Sequence, residues 1–482
     1  MTITQKKLLR EFEPIFYPSS IAVVGASHDK RKAGYSWLKA LIASGFGGDL
    51  YPVNTGGGEL LGLRVYPNLR EIPGAVDYVI VTIPRTAVPD LLDDCAAKKI
   101  KAVHFFTAGF GEADDSIGCE LEEEMARKVR QGGFHVIGPN CIGPYCPESK
   151  VPYGFGKELG DIGSVGFVSQ SGGVGGKLVE LATARNLKYS KGISFGNGVD
   201  LDGVDFLEYM AADPGISVIG AYFEGTRDGR RLFSAMKDAT KVKPLVMWKG
   251  GRTEVGAAAA KSHTGSLASP AATWSAALRQ AGVIEVYSLE ELADTLLIFQ
   301  QLQQWQGNGV AVVGGLANGG GGISVSAGDT CAEAGLHVPS LSPISKQQLV
   351  DLLGLVGSIL HNPVDVSQSG SSPAVIHKAI EIILADPSVD LIIVQEDVGI
   401  TLGIIPWEHL EAINNAFMRF RGSQQKPIVF VLPPGIAESE RLAIEHKLAQ
   451  ASIPVFPTME RAAKAIVNLS RYSSFLASIA SQ

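Results

Sequence analysis

Gly163-Ser-Val-Gly-Phe-Val-Ser-Gln-Ser-Gly-Gly-Val-Gly-Gly-Lys-Leu178 is the stretch on which the fold assignment turns. An apolar run through Phe167 and Val168 reads as a buried strand. Ser169 to Gly173 read as a small-residue turn, and the residues after them as a helix start. The stretch narrowly misses a P-loop: G-x-x-x-x-G-K-[ST] would require glycine at Ser171 and a hydroxyl at Leu178. What remains is a strand, a turn and a helix whose first backbone N–H groups point outward at the positive end of the helix dipole. Such a turn can hold an anion without Walker chemistry, and a tight turn with no ligand fits the same residues.

Downstream, the pattern repeats. Val310-Ala-Val-Val313 runs into Gly314-Gly-Leu-Ala-Asn-Gly-Gly-Gly-Gly322 and a further helical pattern. Gly198-Val-Asp200 is echoed by Pro363-Val-Asp365, and Ala212-Asp-Pro-Gly-Ile-Ser-Val-Ile219 by Ala385-Asp-Pro-Ser-Val-Asp-Leu-Ile392, at nearly the same offset. Each echo precedes a strand, Ala221-Tyr-Phe-Glu224 in one case and Ile393-Val-Gln-Glu396 in the other. An internal duplication follows: two similar α/β domains, each with a glycine-lined helix start. Facing each other, those starts would hold one phosphate between two positive dipole ends.

Upstream, Ser20-Ile-Ala-Val-Val-Gly-Ala-Ser27 reads as a strand ending in a glycine turn, followed by a helix over Tyr35 to Ser44. Strands at Leu50 to Asn54, Val76 to Ile83, Ala102 to Thr107 and Phe134 to Ile137 follow, with the charged helix Glu120 to Arg130 before the last. Short apolar strands alternating with helices predict a parallel sheet covered on both faces. A dinucleotide fingerprint would need G-x-G-x-x-G after the first strand and an acidic residue after the second. Gly25-Ala-Ser-His-Asp-Lys-Arg-Lys-Ala-Gly34 and Asn54 fail both requirements, which disfavours an NAD-linked oxidoreductase. Lys30, Arg31 and Lys32 suit either a phosphate contact or a solvated basic turn.

At 482 residues the chain holds about three domains of roughly 150 residues each. The expected organisation is 1–150, 151–303 and 304–482, with Gln300 to Asn308 as the later boundary. A net charge of −7 leaves no basic footprint for nucleic acid or an acidic membrane surface. No apolar run reaches the ~18 residues of a transmembrane helix, and Met1 to Pro14 lacks a signal-peptide core. Five cysteines (Cys95, Cys119, Cys141, Cys146, Cys331) show no C-x-x-C metal spacing. A reduced, cytoplasmic protein is expected, with no metal site of its own.

Ala257-Ala-Ala-Ala-Lys-Ser-His-Thr-Gly-Ser-Leu-Ala268 surrounds one imidazole with small residues. The expectation is a mobile, weakly packed loop able to carry His263 between places; the alternative is an alanine-rich helix end. Glu224 falls at the carboxyl end of the strand Val218 to Phe223, beside the strand Pro244 to Trp248 from which the His263 segment leaves. His28 and His104 read as surface or packed side chains, Cys141 as a small buried residue near a ligand, and Asp200, Asp202 and Asp365 as helix caps or ligand contacts.

Together these motifs resemble the α subunit of NDP-forming acyl-CoA synthetases of the ADP-forming acetate–CoA ligase type, with a more distant similarity to succinyl-CoA synthetase. The resemblance rests on Val23-Val-Gly-Ala-Ser27, Tyr51-Pro-Val-Asn54, Thr107-Ala-Gly-Phe110, Ile137-Gly-Pro-Asn-Cys141, Ser169-Gln-Ser-Gly172, Glu224-Gly225, Ser262-His-Thr-Gly-Ser-Leu267 and Asn362-Pro-Val-Asp365, in that order. It implies a Rossmann-like CoA-binding domain followed by two flavodoxin-like doubly wound parallel-sheet domains. It also implies a phosphorylated His263, oriented by Glu224, with Ser171, Gly172 and Gly173 holding phosphate at one helix start and Asn318, Gly319 and Gly320 at the other. Coenzyme A would lie along Gly25, Ala26, Ser27, Lys32, Val53, Asn54, Ile83, Pro84, Thr107, Ala108, Gly109, Phe110 and Asn140. The implied reaction is carboxylic acid + CoA + ATP to acyl-CoA + ADP + phosphate, reversible, through phosphohistidine and acyl phosphate. No stretch reads as an ATP-grasp domain, so ATP/ADP with Mg2+ is expected on a separate ATP-grasp β subunit, in an α2β2 assembly. A non-catalytic CoA- or acyl-CoA-binding regulatory protein on the same fold is the alternative reading.

Overall fold

Ser20–Val24 (β1) is buried along its whole length, as expected of a strand covered on both faces. In the computed structural model it lies between Asp49–Val53 (β2) and Tyr78–Val81 (β5) in a parallel sheet completed by Ala102–Phe105 (β6) and His135–Ile137 (β7), in the order β2-β1-β5-β6-β7. Glu59–Leu60 (β3) and Leu63–Arg64 (β4) form a small separate hairpin. Described are residues 2–113, 115–155, 159–264, 270–302, 305, 307–314, 320–354, 359–366, 372–423 and 426–481, without the side chains of 182–183, 261–264, 419 and 421–423.

The helices of this part are Ile3–Phe16 (α1), Ala33–Ala43 (α2), Val88–Lys98 (α3) and Ser116–Gly132 (α4). Thr2 and Gln5 close a capping box on α1. Its apolar stripe buries Phe12, Ile15 and Phe16, with Phe12 and Phe16 stacked on Tyr209 at ring-centroid distances of 4.9 and 5.0 Å. The segment read from sequence only for its lack of a signal core is therefore a docked helix.

A second sheet runs β13-β12-β11-β9-β10-β8. Its strands are Gly143–Tyr145 (β8), Ile162–Ser169 (β9), Tyr189–Ser194 (β10), Val218–Phe223 (β11), Leu245–Lys249 (β12) and Ile284–Val286 (β13). Only β8 is antiparallel. Its helices are Gly172–Arg185 (α5), Gly203–Ala212 (α6), Gly229–Thr240 (α7), Glu254–Thr264 (α8), Ala271–Gln280 (α9) and Leu289–Leu302 (α10).

The third sheet, β15-β16-β14-β17-β18-β19, comprises Val310–Gly314 (β14), Ile359–Leu360 (β15), Val364–Asp365 (β16), Leu391–Gln395 (β17), Ile428–Val431 (β18) and Val455–Phe456 (β19). Here β15 is the antiparallel edge. Its helices are Gly320–Ala334 (α11), Pro343–Leu353 (α12), Pro373–Ala385 (α13), Val398–Leu402 (α14), Trp407–Ser423 (α15), Glu438–Gln450 (α16) and Met459–Ala480 (α17).

Counted in their own chain order, the five parallel strands of each of the three large sheets run 2-1-3-4-5, a doubly wound arrangement whose crevice opens at the strands' carboxyl ends. The second and third sheets also share the antiparallel edge, and the duplication extends to single residues. Asp213 ends α6 and Asp386 ends α13. Lys243, ahead of β12, donates to the Asp213 carbonyl, and Lys426, ahead of β18, donates to that of Asp386.

The chain separates into two compact units, Met1–Leu292 and Ala293–Gln482. The division falls inside α10, ahead of the glutamine-rich stretch 300–308 that the sequence marks as a boundary. The part of α10 beyond it is held to α17: the Arg461 guanidinium clamps Asp294 at 2.5 and 2.9 Å, and Asn468 donates to Thr295 at 3.0 Å.

Glu396 follows β17 as Glu224 follows β11. It is 1% exposed, and burial pushes its carboxyl up to about 8, with nearby Asp397 adding to the rise and the Asn414 amide opposing it. Between about pH 4.5 and 8 the unfolded chain releases this proton while the folded chain keeps it, so stability falls as pH rises through that window. Glu396→Gln is expected to flatten that fall and to be the more stable protein at pH 8 by about 1–3 kcal/mol. Parallel denaturation curves for the two proteins at pH 5.5 and 8 check this.

Candidate functional site

The carboxyl ends of β1, β2, β5 and β6 open into a cleft of about 740 Å³. Gly25 turns the chain there at φ 94°, a region glycine alone enters without strain, and a Cβ on it would stand 2.5 Å from Thr82 Oγ1. Gly34 lets α2 press on the same turn, since its Cβ would come within 2.2 Å of the Gly25 carbonyl oxygen. The turn thus keeps the tight-turn and close-packing glycines of a nucleotide-binding crevice while losing the rest of the fingerprint. Asn54, where a ribose-binding acid would stand, donates its amide to the Ala26 carbonyl at 2.6 Å.

Nine of the thirteen residues expected along CoA line this cleft: Gly25, Ser27, Lys32, Asn54, Ile83, Pro84, Thr107, Ala108 and Asn140. Ala26, Val53 and Phe110 are buried instead, and Gly109 is turned toward Arg85, which donates to its carbonyl at 2.5 Å. Of the three basic residues before α2, Arg31 is tied to Asp29 at 2.9 Å, and Lys32 alone reaches the cleft. Thr82, Phe106, Cys141 and Ile142 also line it. The sequence reading passed over Thr82 and Phe106 although both lie at ends of strands it had placed. Burial pushes the Cys141 thiol up, away from the thiolate form that a nucleophile needs. His104 is fully buried with Nε2 3.1 Å from the Cys141 carbonyl oxygen; burial lowers it to about 4 and keeps it neutral.

The far wall of the cleft is the start of α5, where Gly172 and Gly173 join the lining. Ser169 Oγ donates to the Ser171 carbonyl at 2.7 Å, and Tyr153 to that of Gly172 at 3.0 Å. A Cβ on Gly172 would lie 2.7 Å from Ile142 Cγ1, so only glycine lets the helix start approach so closely. Residues expected at CoA and residues expected at phosphate therefore share one cavity.

Glu224 is 6% exposed at the end of β11. The Gln170 side-chain oxygen accepts from the N–H groups of Glu224 and Gly225 at 2.8 and 3.1 Å, and Tyr222 donates to Glu224 Oε1 at 3.1 Å. Lys249, at the end of the adjacent β12, donates to the Glu224 carbonyl at 2.8 Å, and burial lowers its pKa. The backbone is helical through Thr264, so His263 lies in the last turn of α8, the alanine-rich helix end that stood as the alternative to a mobile loop. Four alanines, the best helix formers, account for the outcome. The His263 side chain and residues 265–269 lie outside the described residues. So do Asn318 and Gly319, while Gly320 opens α11. Among the helix-cap candidates, Asp202 caps α6, Asp200 accepts from the Val136 N–H at 2.8 Å, and Asp365 lies in β16.

The fold and cleft define a doubly wound α/β protein whose crevice, at the carboxyl ends of the strands, is walled on one side by a glycine-lined helix start. Residues 19–147 match the family described as a CoA binding domain, and residues 162–299 the succinyl-CoA ligase like flavodoxin domain. The chain is 34% identical, over 96% of its length and 98% of the relative's, to the acetate–CoA ligase [ADP-forming] I subunit alpha of Pyrococcus furiosus. It is 30% identical to the 4-hydroxybutyrate–CoA ligase [ADP-forming] of Nitrosopumilus maritimus, over 96% of this chain and 65% of that one. A structure of the dinucleotide-forming acetyl-coenzyme A synthetase 1 of Ca. Korarchaeum cryptofilum in complex with phosphate and ADP superposes with a TM-score of 0.85 at 32% identity, covering 97% of this chain and 98% of that one. The chain belongs to the family of ADP-forming acetate–CoA ligase α subunits. Relatives named as ligases give no support to the non-catalytic reading. Among the described residues no helix is long and apolar enough to cross a membrane.

The contact at Gly172 is open to test. Gly172→Ala is expected to cost about 1–3 kcal/mol by overpacking against Ile142. Ile142→Ala in the same chain should recover part of that loss, as a double-mutant cycle in thermal or denaturant unfolding would read.

Proposed function

We propose that this chain is the CoA- and phosphoryl-handling subunit of an ADP-forming acid–CoA ligase. The observation that carries the proposal is the shared cleft, in which Gly25 to Asn140 and Gly172–Gly173 line one cavity. The domains are assigned as 1–150 for CoA and 151–303 and 304–482 for the two ligase domains.

ATP with Mg2+ sits on an ATP-grasp β subunit in an α2β2 assembly in the cytoplasm. Consistent with a partner, the Pyrococcus relative is named as an alpha subunit, and this chain spans 65% of the Nitrosopumilus ligase. Neutral imidazole has an ordinary pKa of about 6.5 and is a competent nucleophile near pH 7. His263 attacks the terminal phosphorus of ATP, a nitrogen–phosphorus bond forms, and ADP leaves. The Glu224 carboxylate accepts the other ring N–H, sets the tautomer and steadies the charged ring. A carboxylate oxygen of the acid then attacks phosphorus, giving acyl phosphate and free His263. The CoA thiol, losing its proton, attacks the acyl carbon and expels phosphate. Backbone N–H groups at Ser171, Gly172 and Gly173 hold the phosphoryl oxygens, with Asn318, Gly319 and Gly320 assigned as a second phosphate-holding turn.

His263→Ala, reconstituted with its β subunit, is expected to lose thioester formation by about a thousandfold or more. Its affinity for CoA should stay within a few-fold of the parent, measured by calorimetry on the chain itself. Thioester formation at the parent rate would overturn the phosphohistidine route.

A further inference from the structure

Two carboxylates in the first unit converge on a single amide. Asn197, on the turn after β10, is nine-tenths buried, and its Nδ2 donates to Glu112 Oε2 at 2.6 Å and to Glu122 Oε2 at 2.9 Å. Glu112 accepts the N–H groups of Gly109 and Phe110 at 2.6 and 3.1 Å, and Glu122 accepts that of Gly111 at 3.0 Å. Every backbone donor from Gly109 to Gly111 is thereby held by a carboxylate that Asn197 holds in turn. The segment just before them, Thr107–Ala108, lines the cleft.

The same cluster reaches the Glu224 turn. Arg227, three residues beyond Glu224, places Nη2 3.3 Å from Glu122 Oε1. Gln170, Asn197, Glu122, Gly225 and Arg227 together line a cavity of about 240 Å³. Helix α8, which bears His263, packs on the turn Gly111–Ala113. Asn197 itself is fixed from behind, its N–H donating to the Pro139 carbonyl at 3.0 Å. Gly196, at φ 58°, approaches the same carbonyl so closely that a Cβ would stand 2.2 Å from its oxygen. A residue of the turn that follows β10 thus reaches into the loop that shapes the first sheet's cleft. Two anions this close repel unless a donor stands between them, and the Asn197 amide supplies that donor.

We infer that Asn197, with Glu112, Glu122 and Arg227, is a brace that sets the cleft loop 107–111 against the Glu224 turn, making Asn197 a positioning residue for CoA. The inference rests on the reading of the cleft as the CoA site. Asn197→Asp keeps the shape but replaces the shared donor with a third carboxylate. Exchanging the partner as well, in Asn197→Asp with Glu112→Gln, restores one donor facing one acceptor.

The experiment is calorimetric titration of CoA into the purified chains, together with the KM for CoA and the kcat of thioester formation after reconstitution with the β subunit. Asn197→Asp is expected to weaken CoA binding and raise its KM at least tenfold. CoA-independent phosphorylation of His263 should change less than threefold, and the exchanged pair should recover threefold or more of the affinity. An affinity for CoA within threefold of the parent in Asn197→Asp would overturn the brace. So would equal losses in CoA binding and in His263 phosphorylation, which mark a disturbance of the whole junction and no specific role toward CoA. A parent chain that binds no CoA would instead overturn the reading of the cleft.

Discussion

The first turn of α5 rests directly on Ile142, with no room for a methyl group between them. The functional account depends on that approach. It places the positive end of a helix dipole, carried by the second sheet, at the mouth of a crevice built by the first. A bulkier residue at 172 or 175 would lift the helix away, since a Cβ at Gly175 would meet the Tyr153 hydroxyl at 2.1 Å. Gly172 and Gly175 of Ser171-Gly-Gly-Val-Gly175 thus serve close packing. A P-loop places glycines for its phosphate; here at least two are demanded by what lies behind the helix.

The first and second sheets share this junction through one continuous apolar core. Phe12 and Phe16 of α1 stack on Tyr209 of α6, and residues from both sheets belong to the same buried cluster. Docking energies of this kind keep a cleft wall from one domain in register with a floor from another, which chemistry between a thiol and a phosphorylated acid requires. Conserving the shape of the junction costs polar burial as well. Lys191 and Asp213 pair at 2.8 Å almost out of solvent, and the charge on one is tolerable only because the other is present.

Much of the architecture was legible because strands ending in glycine announce themselves. The strand at Val218 to Phe223, the strand–turn–helix at 163, and the strand and helix on either side of residues 315–319 needed only apolar runs and small residues. The doubled Ala-Asp-Pro segments proved to be matching helix ends, each with its lysine. Less visible were α1, α3 and α6, whose burial depends on partners distant in sequence; Phe12 makes sense only once Tyr209 is beside it. The brace around Asn197 was also illegible, because Glu112, Glu122 and Asn197 are ordinary polar residues until the fold brings their side chains together. His263 was found by its neighbours' smallness, and of the two readings those alanines allowed, a loop or a helix end, the backbone takes the helix end.

The central claim is that coenzyme A lies in the first sheet's crevice with its sulfur at the start of α5. A structure of this chain with CoA bound tests it most directly. The account predicts the nucleotide end near Gly25 and Asn54 and the thiol within about 4 Å of Gly172 or Gly173, a distance at which an acyl phosphate could be attacked. CoA bound elsewhere, or lying in the crevice with its thiol directed away from α5, would contradict it.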